Sequence, residues 1–266
     1  MVNITSDLVK QLRFKTGSGI MDCKQALINS SGNIEKAIIY LRKMGSLTAE
    51  KKSFNSAILG VVLSKINGHV GYLIELNCET DFVAKHDEFI NFAQEILMYS
   101  CTQNIKDLKL LKDIFEEKRI LLVSKFNENI IIRRLHILEG QIVVSYMHGY
   151  RIGVLVSAKT SKDIMMIKQI AMHIAASKPD FLHSSDIPQL IIENEKKIQL
   201  DIVKNSGKSE LISQKIVNGK IKKFINNITL LDQNFIMDPN KKVKDFLFEN
   251  NIEIVKFIRF ELGEIV

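Results

Sequence analysis

Three side chains between positions 78 and 86 are of types that do chemistry: Cys78, Asp81 and His86. A thiolate activated by an imidazole and oriented by a carboxylate is a nucleophile. The same stretch supports a second reading. Asn77-Cys78-Glu79-Thr80-Asp81-Phe82-Val83-Ala84-Lys85 sets an acid directly before a large apolar ring. A loop that spends a Phe at its tip pushes that ring into something. Cysteine at a strand end is more often a small apolar residue than a nucleophile, so the sequence favours the loop.

The flanking elements make this stretch a connection. The apolar run Gly71–Leu76 predicts a strand, and 87–97 predicts a helix. Residues 57–66 and 70–77 predict a hairpin around Asn67-Gly68. A charged helix is expected over 105–126. A strand is expected over Ile130–Leu138, with Arg133 and Arg134 inside it.

A second hairpin follows, with strands at 141–146 and 151–156, a turn at His148-Gly149-Tyr150, and a helix over about 163–176. It repeats the first. Gly71 and Gly153 lie 82 positions apart, whereas Ala93 and Ala171 lie 78 apart. The first strand-to-helix connection is therefore four residues longer, and the extra length falls on 77–85. Both copies solve the same packing problem, so the fold does not require the extra residues.

Residues 3–44 predict three short helices. Thr5 or Ser6 caps the first, Asp22 the second, and turns fall at 16–19 and 30–33. Ile20 and Met21 stand in a first turn, where they either seal the small core or face out. Residues 45–56 are polar with no apolar stripe and predict a linker. After Pro179, residues 186–206 and 209–227 predict a helical hairpin. Asp186 caps it, Pro188 lies in the first turn, and Ser206-Gly207-Lys208 makes the turn. Ile191, Ile198, Ile202, Ile212, Ile216 and Phe224 supply stripes that pack on each other or on a partner. A short helix near 241–250 and a strand over Ile254–Leu262 follow.

The chain contains no phosphate-binding glycine loop, no HExxH pair and no nucleophile elbow. The hairpins lack aromatic residues interleaved with arginine, which argues against an RNA platform. Cys23, Cys78 and Cys101 suggest neither a disulfide framework nor a CxxC metal site. No cofactor is expected. No apolar run reaches the roughly 18–20 residues of a spanning helix, and Met1–Leu12 reads as a helix start without leader features, so a cytoplasmic protein is expected. The net charge of +7 accompanies abundant Lys, Ile and Asn with 3 Pro and no Trp. That pattern resembles a codon bias more than a demand for nucleic acid. A basic RNA-binding accessory protein remains the alternative to a protein-binding factor, with a Cys78 enzyme third.

The stretch 77–85 resembles the N-C-x-T-D-F-V-A-K signature of the elongation factor Ts family, guanine-nucleotide exchange factors for elongation factor Tu. Leu12–Lys24 is similar to that family's L-R-x-x-T-G-A-G-M-M-D-C-K. The runs 151–156 and 171–179 and the pairs Glu139-Gly140 and His148-Gly149 continue the resemblance, as do Gly207-Lys208 and Gln233-Asn234-Phe235.

The resemblance implies an α+β fold. A ubiquitin-associated-like three-helix module with its linker spans 1–55. Two repeated core subdomains follow, one over 56–140 and one over 141–180 with 230–266. A helical-hairpin subdomain spans 181–229. It further implies that Thr80, Asp81, Phe82 and Val83 disturb the partner's Mg²⁺ site, and that Arg13, Ile20, Met21, His148, Ile236 and Met237 contact the partner. The hairpin over 187–227 would allow a homodimer and a 2:2 complex. No membrane or direct nucleic-acid contact, no bound metal and no catalytic residue is implied. Ile20 stands where the family has Met. The chain stops at Val266, where some relatives continue into a further partner-contacting helix.

Overall fold

The computed structural model describes residues 4–159, 163–204 and 210–264. In chain order the elements are α1 (Ser6–Thr16), α2 (Ile20–Asn29), α3 (Ile34–Lys52), β1 (Leu59–Asn67), β2 (Val70–Cys78), α4 (Asp81–Ala84), α5 (Asp87–Gln103), α6 (Leu108–Phe126), β3 (Ile131–Glu139), β4 (Ile142–His148), β5 (Ile152–Lys159), α7 (Ile164–Ser177), α8 (Gln189–Lys204), α9 (Glu210–Ile228), β6 (Asn234–Phe235), β7 (Asp238–Lys242), α10 (Val243–Glu249) and β8 (Glu253–Glu261). The sheets run β1-β2-β3, β4-β5-β8 and β6-β7. The fold is α+β. The predicted turn at 206–208 lies outside the described residues. Among these, no helix is long and apolar enough to cross a membrane. The chain divides into two compact units, one of 1–63, 73–136 and 261–266, the other of 64–72 and 137–260.

In the first unit, Thr5 caps α1 by accepting from the Leu8 amide at 3.3 Å. Asp22 is not the cap of α2. Gly19 holds that position and Asp22 lies in the first turn, its carboxylate folded back toward Gly19. Val9, Leu12, Cys23, Ala26, Leu27, Ala37 and Leu41 form the small core of the three helices.

The expected linker at 45–56 is helical as far as Lys52. Its packing face is made of Gly45 and Ala49, both buried. A Cβ on Gly45 would stand 3.3 Å from Ile120 Cγ2, so the missing side chain lets α3 lie close on α6. A stripe of small residues carries no hydrophobic period, which is why the pattern concealed it.

The arginines of β3 both turn to one carboxylate. Glu75 of β2 is fully buried. It accepts from Arg133 at 3.0 Å, from Arg134 at 2.5 Å and from the Asn77 side-chain Nδ2 at 3.1 Å. Arg134 also donates to the Glu261 carbonyl at 3.0 Å, and Arg133 to that of Glu264. A buried carboxylate is tolerated only when it is paired in this way. The cluster fastens residues 261–264 to the β2–β3 pair.

The turn of the first hairpin falls one residue later than predicted. Asn67 ends β1, and of Asn67, Gly68 and His69 only Gly68 takes positive φ, at +57°. In the second unit, β4 and β5 pair antiparallel from Ile142↔Ala158 to His148↔Ile152. His148 is thus the last strand residue, not part of the turn. α7 packs on both strands, stops at a left-handed Lys178 and is followed by Pro179. Asp186 does not cap α8. It closes a short 3-10 turn by accepting from the His183 amide at 2.9 Å, and α8 starts only after Pro188.

α8 and α9 form the expected helical hairpin, with Val203 and Val217 buried. Ile191, Ile198, Ile202 and Ile212 stay exposed, whereas Ile216 and Phe224 are partly buried. The hairpin-plus-helix arrangement occurs twice. In the first copy eight residues (79–86) separate β2 from α5; in the second, β5 ends at Lys159 and α7 starts at Ile164, and 160–162 lie outside the described residues.

Candidate functional site

The longer connection is a braced turn. Thr80 caps the single-turn helix α4, its hydroxyl accepting from the Val83 amide at 3.4 Å. The brace comes from the end of α6, where a left-handed Asn127 redirects the chain. There the Glu128 carboxylate accepts from the amides of Glu79 and Thr80 at 3.2 and 3.0 Å, and from the Thr80 hydroxyl at 2.6 Å. Glu79 returns the contact by accepting from the Asn129 amide at 2.6 Å and from the Asn55 side chain at 3.0 Å. Hydrogen bonds to ionised carboxylates are stronger than neutral ones.

This bracing sorts the four expected loop residues into two pairs. Val83 is buried, at 6% exposure, and Thr80 is tied into the Glu128 contacts. Asp81 and Phe82 face solvent, and Phe82 is 83% exposed. Lys85 hydrogen-bonds Asp81 at 2.7 Å and holds its carboxyl below the usual carboxylate range.

The nucleophile reading of Cys78 fails on this geometry. Its thiol is buried and donates to the Thr80 carbonyl at 3.2 Å. Burial, then the nearby Glu128, pushes it up to about 12, so no thiolate is populated at neutral pH. His86 is committed elsewhere. Its Nδ1 accepts from the Glu88 amide at 3.2 Å to cap α5, and its ring meets Phe126 edge-on at 4.9 Å. Among the described residues no group of three or more His, Cys, Asp or Glu side chains is placed to hold a metal.

The other expected contact residues all lie at the surface. Arg13, Ile20 and Met21 flank the α1–α2 turn and point outward. His148 is exposed at the end of β4, with the Tyr146 hydroxyl 3.3 Å from its Nδ1. Ile236 and Met237 are the two residues between β6 and β7, and both are about half exposed.

That tip rests on His173, a fully buried residue of α7. Its Nδ1 accepts from the Ile236 amide at 3.2 Å, and its Nε2 faces Gln233 Oε1 at 2.9 Å. An acceptor at Nδ1 and a donor at Nε2 describe one neutral tautomer. Burial pushes His173 below its ordinary value of 6.5. The supporting residues Glu128, Asn129, Asn55, Tyr146 and His173 were not foreseen as part of any site. Glu128 lies 48 positions from Thr80, and no spacing rule links such a pair.

The family described as Elongation factor TS matches residues 79–264. Elongation factor Ts of Buchnera aphidicola subsp. Acyrthosiphon pisum (strain APS) is 50% identical over 264 residues, covering 99% of this chain and 98% of the relative. Elongation factor Ts of Baumannia cicadellinicola subsp. Homalodisca coagulata is 51% identical over 267 residues, covering 99% and 95%. That of Klebsiella pneumoniae (strain 342) is 48% identical over 264 residues, covering 99% and 93%.

Two outcomes test these supports. Glu128→Ala removes an ionic acceptor, so hydrogen exchange at the Glu79 and Thr80 amides is expected to speed roughly 10- to 100-fold. Unchanged exchange at both amides excludes the brace. For His173 the unfolded chain takes up a proton more readily than the folded one. Stability is therefore complete above 6.5 and is lost as pH falls below it. The drop in thermal midpoint between pH 7.5 and 5.5 should shrink in His173→Gln, and an equal drop in both proteins rules out His173 as its source.

Proposed function

This chain belongs to the elongation factor Ts family, and from that premise we propose that it is a guanine-nucleotide exchange factor for elongation factor Tu, acting in translation in the cytoplasm. It binds the GDP-bound partner, promotes GDP release and stays on the nucleotide-free partner until GTP rebinds. No covalent step is needed. Nucleoside diphosphate is held on a GTPase through its phosphates and a Mg²⁺ ion with strict octahedral demands. A factor that prefers the nucleotide-free partner weakens nucleotide binding, and nucleotide weakens the factor by the same ratio.

The observation that carries this reading is the outward Phe82 on a turn whose neighbours are fixed. In the proposed complex Phe82 wedges into the partner's nucleotide domain. Asp81 perturbs the surroundings of the Mg²⁺ ion, and Thr80 and Val83 keep the turn in shape. Burying one Phe is worth about 1.5–3 kcal/mol, and about 1.4 kcal/mol is tenfold in affinity. One ring alone therefore gives a limited effect. Arg13, Ile20, Met21, His148, Ile236 and Met237 are proposed to add contacts along the partner.

The helical hairpin is proposed to pair two copies into a 2:2 complex. Ile198, Ile202 and Ile212 remain exposed on it, and an apolar face of that kind is covered in a dimer.

Release of a fluorescent GDP analogue from elongation factor Tu is the deciding measurement. The wild-type chain should accelerate release, and Phe82→Ala should lower the stimulated rate several-fold at an unchanged thermal midpoint. No acceleration by the wild-type chain sinks the exchange reading, and full activity in the variant sinks the wedge. Sedimentation equilibrium should return twice the chain mass. A single-chain mass at every concentration removes the dimer.

A further inference from the structure

Ser18 is 7% exposed, and its hydroxyl has no hydrogen-bond partner among the described residues. Its backbone is committed. The amide donates to Thr16 Oγ1 at 3.4 Å, and the carbonyl accepts the Cys23 thiol at 3.7 Å. Buried polar groups nearly always find a partner, so an idle buried hydroxyl calls for one. Ser18 lines a cavity of about 230 Å³ within the first unit, enclosed by the end of α1, by α3 and by α6. The cavity opens beside the crossing of α3 on α6 at Gly45. A Cβ there would stand 3.3 Å from Ile120 Cγ2 and 3.6 Å from Ser124 Cβ, and all three residues line the space.

The lining joins apolar surface to idle charge. Ile38, Leu41, Ile120 and Leu121 supply the apolar part. The side chains of Lys15 and Arg42 also line it, and neither has an ion-pair or hydrogen-bond partner among the described residues. Glu117 is unpaired in the same sense, as is the Ser124 hydroxyl. Lys125, near the Gly17 turn, is committed to Glu88. Two free cations against one free acid leave a single positive charge to neutralise. One carboxylate meets that demand, whereas a phosphate monoester carries about −1.5 to −2. Pockets for drug-sized ligands run to roughly 300–1,000 Å³ and pair apolar walls with a few placed polar groups. This cavity has that character at a smaller size.

We propose that the cavity binds a small carboxylate with an apolar body, the carboxylate held by Arg42 and Lys15 and the body laid on Ile38, Leu41, Ile120 and Leu121. The Ser18 hydroxyl supplies a further donor. None of residues 80–83 lines the cavity, so the site stands apart from the exchange reading. A ligand seated there touches α1, α3 and α6 together. It binds the folded unit and not the unfolded chain, and so raises the thermal midpoint.

The test is titration of the isotope-labelled full chain with phenylacetate and with isocaproate, followed at the backbone amides. Both should shift the Ser18, Gly45 and Ser124 amides saturably and raise the thermal midpoint. Acetate lacks the body and benzyl alcohol lacks the charge, so each should bind at least roughly tenfold more weakly. Arg42→Ala should weaken phenylacetate binding roughly tenfold, the loss of a forked charge-assisted contact. Lys15→Ala should weaken it less, as the loss of a single point charge. Arg42 and Lys15 are both exposed, so the ligand-free midpoint should not move in either variant. Failure of both probes to saturate the three amides overturns the site. Equal binding of acetate makes the contact an adventitious ion only, and equal binding of benzyl alcohol removes the carboxylate; either result overturns the proposal. Wild-type affinity in both variants overturns it as well.

Discussion

The Glu128 carboxylate is the contact on which the exposed turn depends. It takes two backbone amides and one hydroxyl from residues 79–80, and Glu79 takes the Asn129 amide in return. These bonds hold the backbone that leads into α4, from which Phe82 projects into solvent. A free loop of the same sequence would have to be ordered on binding, at about 0.5–1.5 kcal/mol for each immobilised side chain. The brace moves that cost into folding. In the proposed complex the ring would meet its target on a turn already ordered, so that less of its burial is spent on ordering the chain.

The same division of labour recurs at two other turns that expose apolar side chains. Val83 and Thr80 face inward so that Phe82 can face out. Ser18 and Cys23 lock the turn that shows Ile20 and Met21. His173 holds the Ile236 amide so that the two-residue tip carries Ile236 and Met237 outward. In each case a buried or half-buried polar group satisfies the backbone of the turn. Such a group rigidifies its surroundings when every bond is made, and is costly when one is missing. The exposed members add little to stability, so changing them separates binding from folding.

Much of this was legible in the sequence because it is local. The two hairpins, the α7 helix and its stop before Pro179, and the Thr5 cap each follow from neighbours in the chain. The repeat exposed the longer connection without any structure. What escaped was non-local or lacked a hydrophobic signature. The α3–α6 contact uses Gly45 and Ala49, which no apolar period reports. Asp22 and Asp186 have the chemistry of caps, but α2 starts two residues before Asp22 and α8 only after Pro188. Glu128, Asn55 and His173 act across tens of residues. Cys78 has the right atoms for a nucleophile and the wrong surroundings, since its burial raises the thiol far from neutrality.

The four additional residues of the first connection can be weighed against what they bring. Doubling a loop from four to eight residues costs about 0.6 kcal/mol in closure entropy. A single hydrogen bond to a charged group contributes about 1.5–3 kcal/mol. The three bonds to Glu128 therefore offset the added length several times over, even if strain and shared geometry halve each one. In the second copy only four positions separate Lys159 at the end of β5 from Ile164 at the start of α7. On this balance the insertion adds to stability as well as changing the surface: it turns a strand-to-helix join into a braced platform for one acid and one ring.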